Sequence, residues 1–289
     1  MLPRISDEWI EIASDPDLGS LTSPKQQPVD FAIWQAADHG WLLWSCIRGT
    51  KAPGKTRLFH AWESLNLTKP NWKAKGIAME ADEKYGETPG GLQAPYVINI
   101  SGMFHMFYGD WENICVATSG DGKHFARRLD AKGRAGMFTE GQGNNTRDPM
   151  VINIDGKWHC YYTAYPNKQG AVYCRTSRDT CQWSDSTIVA FGGEAGTNSF
   201  SAECPFVVEL TPGEFYLFRT QKYGTNAISR IYHSHDPMHF GINEDADYLV
   251  GSLPVAAPEL ILRDEQWYVA ALAPTLKGIR LAPLKWVPK

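Results

Sequence analysis

The sequence predicts an all-β protein, a five-bladed β-propeller whose four-stranded antiparallel blades surround a central channel. Two observations predict this fold: a strand–turn–strand pattern recurs five times, and the recurrences are spaced by about the length of one blade. The aromatic content of 12% agrees with it, because Trp, Tyr and Phe favour strands. We therefore expect one domain over residues 1–289.

Each of the five repeated units is predicted to be a β-hairpin. The first strand is apolar or alternating for five or six residues, the turn carries Gly, Asp or Asn, and the second strand is rich in aromatic residues. The units lie 64, 54, 55 and 54 residues apart. They open near Asp30, Ala94, Asp148, Glu203 and Ala257.

A second signal follows in the later half of several units: a strand that ends in Ser or Thr, a polar turn, and then an aromatic residue or His. It occurs as ATSGDGKHF at 117–125, RTSRDTCQW at 175–183 and HSHDPMHFG at 233–241. We interpret it as the outer hairpin of each blade. Near the N-terminus, EWIEI at 8–12 is predicted to be a closing strand, but the sequence does not show which blade it joins.

Composition excludes several classes of protein. The net charge of −4, without a basic stripe, argues against a nucleic-acid partner. No stretch approaches the roughly 20 apolar residues of a membrane span, and the N-terminus lacks an apolar leader, so we expect no membrane partner and, unless a leader has been removed, a cytoplasmic location. We also expect a monomer. The six scattered cysteines are expected to be buried thiols, with a Cys174–Cys181 disulfide as the lesser alternative.

The repeat also predicts a site. In a propeller the first strand of each blade lines the channel, so the residues that open these strands form a ring at one mouth. We predict that Asp30, Asp148 and Glu203 meet there and are catalytic, while Glu259, one or two places out of register, is structural. Neighbouring like charges raise the pKa of at least one carboxyl and leave another ionised, which is the division that glycoside hydrolysis requires.

Each acid also has a simpler interpretation. An Asp before Pro, as in Asp148-Pro149, is commonly a turn former. The repeat argues against that, because turn chemistry does not demand acids at one register of three blades when Ala94 opens blade 2 without one. Glu203 is the sharpest case, since Glu is a poor turn residue.

Loops that follow the second strands, and the segments that lead into the first strands, are predicted to face the same mouth. Arg147 would either hold a hydroxyl or pair with a carboxylate, and Trp111 would either stack on a sugar or pack between blades. The predicted substrate-binding residues are Gln93, Asp110, Trp111, Asn145, Arg147, Tyr165, Arg219 and Tyr223.

Metal and cofactor signals are weak. His105 and His159 occupy equivalent positions in the second strands of blades 2 and 3, and we expect them to serve packing rather than metal binding. We expect no cofactor and no metal ligand set. A structural cation in the channel remains compatible with the fold.

At these residues the chain resembles the superfamily of five-bladed propellers that contains glycoside hydrolase families 43 and 32. Arg147-Asp148-Pro149 and Glu203-Cys204-Pro205 look like the R-D-P and E-C motifs of family 32, whereas Gln93-Ala94-Pro95 resembles the W-A-P opening of blade 2 in family 43. Asp30 lies in PVDFAIW, which departs from the N-D-P-N-G of family 32.

The resemblance implies a carbohydrate substrate and a glycosidase. Resemblance to family 43 implies that Asp30 is the general base, that Asp148 modulates pKa and orientation, and that Glu203 is the general acid, with inversion at the anomeric carbon. Resemblance to family 32 implies that Asp30 is the nucleophile and Glu203 the acid/base, with retention at that carbon. The departure at Asp30 favours an exo-acting enzyme like α-L-arabinofuranosidases or β-xylosidases, with a β-fructofuranosidase as the alternative.

Two further interpretations stay open. A sugar-binding propeller without catalysis would not need the three acids. A phosphorolytic relative would need a basic phosphate pocket, for which Arg48, Lys51, Arg219 and Lys222 are the available cations.

Overall fold

The computed structural model describes all residues, Met1–Lys289, and confirms an all-β, five-bladed β-propeller. The strands are β1 to β22, and the helical content is confined to 3-10 turns of three residues each. These turns are Gly19–Leu21, Glu83–Tyr85, Pro166–Lys168, Gly193–Ala195 and Gly224–Asn226.

None of these helical segments has the length and apolar character needed to cross a membrane.

The chain divides into two compact units. One contains Ile10–Asp148 and Leu276–Arg280, and the other contains Met1–Trp9, Pro149–Thr275 and Leu281–Lys289. Blades 1 and 2 belong to the first unit, and most of blades 3 to 5 belongs to the second. The expected single domain stays a prediction.

Blade 1 is a four-stranded sheet whose second strand, WLLWSCIR, is almost entirely buried, as expected for a continuous apolar run. Successive strands pair antiparallel. The strands are β3 (Gln27–Gln35), β4 (Trp41–Arg48), β5 (Leu58–Ser64) and β6 (Lys73–Met79).

Blade 2 follows the same order, and its fourth position is shared by two short strands that both pair with the third. The strands are β7 (Gln93–Ile100), β8 (Met103–Gly109), β9 (Ile114–Ser119), β10 (Ala126–Arg127) and β11 (Gly136–Phe138). Its first strand lies against β3 of blade 1.

Blades 3 and 4 are four-stranded sheets in simple sequence order. Blade 3 consists of β12 (Arg147–Ile154), β13 (Lys157–Ala164), β14 (Ala171–Ser177) and β15 (Thr187–Phe191). Blade 4 consists of β16 (Glu203–Thr211), β17 (Glu214–Lys222), β18 (Ile228–Ser234) and β19 (Leu249–Leu253).

Blade 5 takes its outer strand from the N-terminus. Its order is β1-β22-β21-β20, and a further N-terminal strand, β2, also pairs with β22. The strands are β20 (Glu259–Arg263), β21 (Gln266–Leu272), β22 (Gly278–Val287), β1 (Leu2–Ile5) and β2 (Ile10–Ser14). The structure thus assigns the predicted closing segment, which overlaps β2, to blade 5.

Both repeated sequence signals are confirmed. The five predicted hairpins are the β3–β4, β7–β8, β12–β13, β16–β17 and β20–β21 pairs. The third strand of blades 1 to 4 ends at a serine: Ser64, Ser119, Ser177 and Ser234. In blades 2 and 3 that serine hydroxyl donates to an Asp two residues later, whose carboxylate accepts backbone N–H groups of the turn.

A buried ion pair holds the segment that leads into β7. Glu87 is 2% exposed, and its carboxylate accepts two hydrogen bonds of 2.8 Å from the Arg127 guanidinium. The Tyr108 hydroxyl donates to the same carboxylate at 2.7 Å, and the Asp82 backbone N–H at 2.8 Å. Removing Glu87 would therefore take the acceptor from the Tyr108 hydroxyl and the Asp82 N–H, and would leave Arg127 with the Glu80 backbone oxygen in place of a carboxylate.

We expect Glu87→Ala to lower the free energy of unfolding by about 3 to 5 kcal/mol, because it strands the Arg127 charge and the Tyr108 hydroxyl. Urea denaturation followed by Trp fluorescence measures this. Glu83→Ala, at an exposed neighbouring position, is the control and should stay within about 0.5 kcal/mol of wild type. Similar losses in the two variants would contradict the assigned role of the ion pair.

Candidate active site

The five first strands share an unusual backbone conformation where they open. One non-glycine residue in each blade has a left-handed φ between 39° and 57°. These residues are Asp30, Ala94, Asp148, Cys204 and Ala257. A left-handed conformation is costly for a residue with a Cβ. Because it recurs in every blade, it is a regular structural feature of the repeat.

The left-handed residue forms a bulge at the start of the strand. The pairing register shifts between Val29 and Phe31 in blade 1, between Gln93 and Tyr96 in blade 2, and between Glu203 and Phe206 in blade 4. In four blades a proline follows, and proline is tolerated at bulges because it has no N–H to give to the ladder. Bulges re-aim side chains, which suits a site at the strand ends.

The bulge corrects the predicted register in blade 4. Cys204, and not Glu203, occupies the position of Asp30 and Asp148. Glu203 precedes the bulge, as Arg147 does in blade 3 and Gln93 in blade 2. The prediction that three acids occupy one equivalent position is therefore wrong in blade 4, by one residue. Glu259 lies two residues after Ala257, which is the equivalent position in blade 5.

In the first unit, two of the predicted acids are close together. A carboxylate oxygen of Asp30 lies within 4.8 Å of one of Asp148. Asp148 is 4% exposed, and its Oδ2 is 3.6 Å from Nε of Arg147, which is equally buried. Arg147 also donates to the Asn145 backbone oxygen at 3.1 Å. A buried guanidinium thus balances part of the negative charge of this pair of acids.

The Cys46 thiol is buried close to the same pair. Burial is the main cause that raises the pKa of Cys46 to about 12, and the negative charges of Asp30 and Asp148 add to it. The nearby cations Arg57 and Arg48 act in the opposite direction. Cys46 is therefore a neutral thiol at physiological pH and packs as a small apolar group.

Two predicted binding residues have buried acceptors without a hydrogen-bond partner. They are Gln93 Oε1 and Asn145 Oδ1. Gln93 is 2% exposed and immediately precedes the bulge of blade 2, and Asn145 lies just before Arg147. Buried acceptors are nearly always hydrogen-bonded in folded proteins. These two oxygens can therefore accept hydrogen bonds from the hydroxyls of a bound molecule or from water.

In the second unit, Tyr223 reaches the opening of blade 4. Its hydroxyl lies 3.4 Å from Sγ of Cys204, and both residues are half-buried, as is Glu203. Tyr165, which begins the Pro166–Lys168 turn after β13, is also half-buried. Glu203, Tyr165 and Tyr223 are therefore partly open to solvent.

Arg219 is buried and bonded to protein groups. It is 1% exposed, its Nε donates to the Ser201 backbone oxygen at 3.0 Å, and its guanidinium lies over the Tyr232 ring. Burial lowers the pKa of Arg219. This residue therefore fastens the segment that leads into Glu203, and its contact with a substrate stays a prediction.

Asp110 also turns inward. It is 1% exposed, and its carboxylate accepts the backbone N–H groups of Asn113 at 2.6 Å and Glu112 at 3.0 Å. Burial raises the pKa of Asp110 against these hydrogen bonds. Asp110 thus shapes the loop between β8 and β9. The sequence indicated the loop correctly but could not show that the carboxylate turns inward.

Trp111 follows its packing interpretation. Lys55 Nζ lies 4.4 Å from the ring centroid and the Arg57 guanidinium 5.0 Å from it, so two cations of blade 1 stack on this residue of blade 2. A sugar that stacked on Trp111 would therefore compete with Lys55 and Arg57 for the face of the ring.

His105 and His159 also follow their packing interpretation. In each, Nδ1 lies close to the backbone oxygen two residues earlier, at 3.2 Å and 3.0 Å, and the ring stacks on an aromatic residue of the same strand. Burial lowers the pKa of both side chains.

Glu259 is half-buried. Burial of its carboxyl raises its pKa well above the usual value. The protonated form of Glu259 is therefore more favoured than that of an exposed glutamate.

Comparison with known proteins covers Asp148 and Glu203 but not Asp30. Residues 59–260 match the family model described as glycosyl hydrolases family 32 N-terminal domain. A probable sucrose-6-phosphate hydrolase of Vibrio cholerae is 24% identical over 191 residues, which cover 58% of this chain and 34% of that protein. The chain thus spans about a third of the length of this relative.

Solved structures share the fold. An endo-arabinase from Bacteroides thetaiotaomicron superposes with a TM-score of 0.69 at 13% identity, over 94% of this chain and 99% of the other. A thermostable family-43 glycoside hydrolase superposes with a TM-score of 0.65 at 17% identity, over 92% of each chain. At these identities the likeness shows the fold alone.

Proposed function

The chain belongs to the family of glycosyl hydrolases family 32 N-terminal domains, and from that membership we propose that it hydrolyses a glycosidic bond at the end of a furanoside substrate. The observation that carries the proposal is the pair of motifs Arg147-Asp148-Pro149 and Glu203-Cys204-Pro205, which open blades 3 and 4 with the same left-handed bulge. The close carboxylates of Asp30 and Asp148 supply charge where such a reaction needs it.

Asp30 is the proposed nucleophile. It is half-buried and thus reachable, whereas Asp148 is 4% exposed and has Arg147 beside it. Asp148 and Arg147 are proposed to hold sugar hydroxyls and to keep the carboxylate of Asp30 in position. A nucleophilic carboxylate forms a glycosyl–enzyme ester, which water then hydrolyses.

Glu203 is the proposed acid/base. The argument is one of equivalence: a left-handed residue recurs at the opening of every blade, so the residue before it in blade 4 corresponds to Arg147 and Gln93. We propose that it faces the same mouth of the channel as these residues do. There it would protonate the leaving oxygen and then remove a proton from the attacking water.

Sugar recognition is assigned to the partnerless acceptors and to the accessible tyrosines. Gln93 Oε1 and Asn145 Oδ1 would accept hydrogen bonds from sugar hydroxyls, and Tyr165 and Tyr223 would line the opening. Without such donors these buried oxygens destabilise the protein.

Gln93→Leu should separate binding from stability. We expect KM to rise about tenfold, the value of one lost hydrogen bond, while the free energy of unfolding stays level or rises by up to about 1 kcal/mol. Steady-state kinetics and urea denaturation measure the two effects. Gln35→Leu, at an exposed position of β3, is the control for both. A large loss of stability without a change in KM would assign Gln93 to packing.

The first candidate sugar is a β-fructofuranoside, because the family model that matches the chain is that of family 32. The name of the Vibrio cholerae relative adds sucrose 6-phosphate to the substrates worth testing. The second candidate is an α-L-arabinofuranoside or β-xyloside, favoured by Gln93-Ala94-Pro95 and by the sequence around Asp30.

The test is a panel that contains sucrose, sucrose 6-phosphate, and aryl α-L-arabinofuranoside and β-xyloside. We expect release of a single terminal sugar from one class, and NMR of the first product shows whether its anomeric configuration is retained. Binding of a panel sugar without hydrolysis would overturn the enzymatic proposal in favour of a sugar-binding propeller. Cleavage that depends on phosphate would indicate a phosphorylase.

A further inference from the structure

A cluster of metal-binding side chains lies in blade 4, apart from the bulged strand openings. We call Glu214, His233 and His235 the His–Glu cluster; one donor atom of each lies within 4.8 Å of the others. Glu214 begins β17, His233 lies near the end of β18, and His235 follows that strand.

Strand register places the three side chains on one face. Phe215 pairs with Ser234 and Tyr216 with His233, so Glu214 stands opposite His235 and diagonal to His233. Residues two apart on a strand share a face, and cross-strand neighbours are close enough to interact. The cluster is therefore fixed by sheet geometry on two adjacent strands.

The donor atoms already converge. Glu214 Oε2 lies 2.5 Å from His233 Nε2, and Glu214 Oε1 lies 3.1 Å from His235 Nδ1. The side chain of His233 is 24% exposed and that of His235 74%, so a cation can enter from solvent. The rings lie 5.1 Å apart at 80°, which leaves the ring nitrogens room to turn toward one ion.

We propose that the His–Glu cluster is a divalent metal site for Zn²⁺, with the three side chains as ligands and water in the fourth position. Two imidazoles and one carboxylate are donors that zinc prefers, at bond lengths of about 2.0 to 2.2 Å. Tetrahedral ligands at these lengths stand about 3.3 Å apart, so small side-chain rotations convert the present contacts into coordination.

The surroundings support an ordered site. Tyr216 packs on His233, with ring centroids 4.8 Å apart, and Trp286 packs on Tyr216 at the same distance. This backing limits the rotamers of His233 and lowers the entropy that binding must overcome. A bound ion would link the turn between β16 and β17 to the end of β18.

The experiment uses the full chain, freed of metal by a chelator. Any purification tag is removed first, because the Met1 amino group lies 3.0 Å from the Tyr216 hydroxyl and a tag there would reach the cluster. Zn²⁺ binding is measured by calorimetry, and Co²⁺ is added as a spectroscopic probe. The variants are His235→Gln and Glu214→Gln, and His124→Gln is the control, since His124 is an exposed histidine paired only with Asp121.

We expect one Zn²⁺ per chain, at least about tenfold weaker binding in both cluster variants, and no change in His124→Gln. Zn²⁺ should raise the melting temperature of wild type but not that of His235→Gln. The Co²⁺ spectrum should show tetrahedral bands without thiolate charge transfer, which excludes the exposed Cys181. Wild-type affinity in both cluster variants, or a thiolate band, would overturn the proposal.

Discussion

Replacing Glu203 with Gln should lower kcat/KM for an unactivated furanoside by about 10²- to 10⁴-fold, because the leaving oxygen would depart without a proton. The variant should fold like wild type, since Gln has nearly the same shape and Glu203 is half-buried at the end of β16. Steady-state rates and the melting temperature measure the two properties. The descending limb of the pH profile of kcat/KM, which reports the acid, should disappear.

The nature of the leaving group makes this test specific. An aryl furanoside with an acidic phenol needs little protonation, so Glu203→Gln should release that phenol in a rapid first turnover and then stall. Glu209→Gln, on the same strand, is the matched control: Glu209 accepts the Gly213 N–H at 2.9 Å, and its replacement should leave both rates unchanged. Equal losses on good and poor leaving groups would contradict the acid role.

The fold could be predicted from the sequence because its signals are local and repeated. A strand, a tight turn and an aromatic strand recur in all five units, and a serine closes the third strand in four of them. Turn chemistry and side-chain alternation depend on a few neighbouring residues, so one sequence shows them.

The register of the first strands depends on a backbone bulge, whose sequence signal is the proline that follows it in four blades. The bulge is set by backbone dihedral angles, and the acids at Asp30, Asp148 and Glu203 suggested an alignment that is one residue off in blade 4. The prolines after Ala94, Asp148, Cys204 and Ala257 would have given the correct alignment. Blade 1 has Phe31 in place of proline, which hides that signal.

Burial separates the predicted binding residues into two groups. The sequence predicts Asp110 and Arg219 as sugar-binding residues because they are polar and lie in the right loops, and each side chain folds inward and bonds backbone groups nearby. Gln93 and Asn145 lie in similar segments but leave an acceptor without a partner. Residue type and position cannot distinguish these two outcomes, because they depend on the path of the neighbouring loop.

Asp30→Asn should lower kcat on the order of 10⁴- to 10⁶-fold, because the amide cannot attack the anomeric carbon. Asn tolerates a left-handed φ, so the bulge at 39° should survive and the melting temperature should stay close to that of wild type. Asp38→Asn is the control within the same blade: Asp38 forms an exposed ion pair with Lys123, and its replacement should not change kcat.

Mass spectrometry of quenched reactions then decides what Asp30 does. In Glu203→Gln with an activated substrate, the glycosyl–enzyme should accumulate and add the mass of one sugar residue, because no base assists the attacking water. Introducing Asp30→Asn into that variant should abolish the added mass. If Glu203→Gln turns over slowly without any added mass and wild type inverts the anomeric configuration, Asp30 activates water instead, and the proposed ester is wrong.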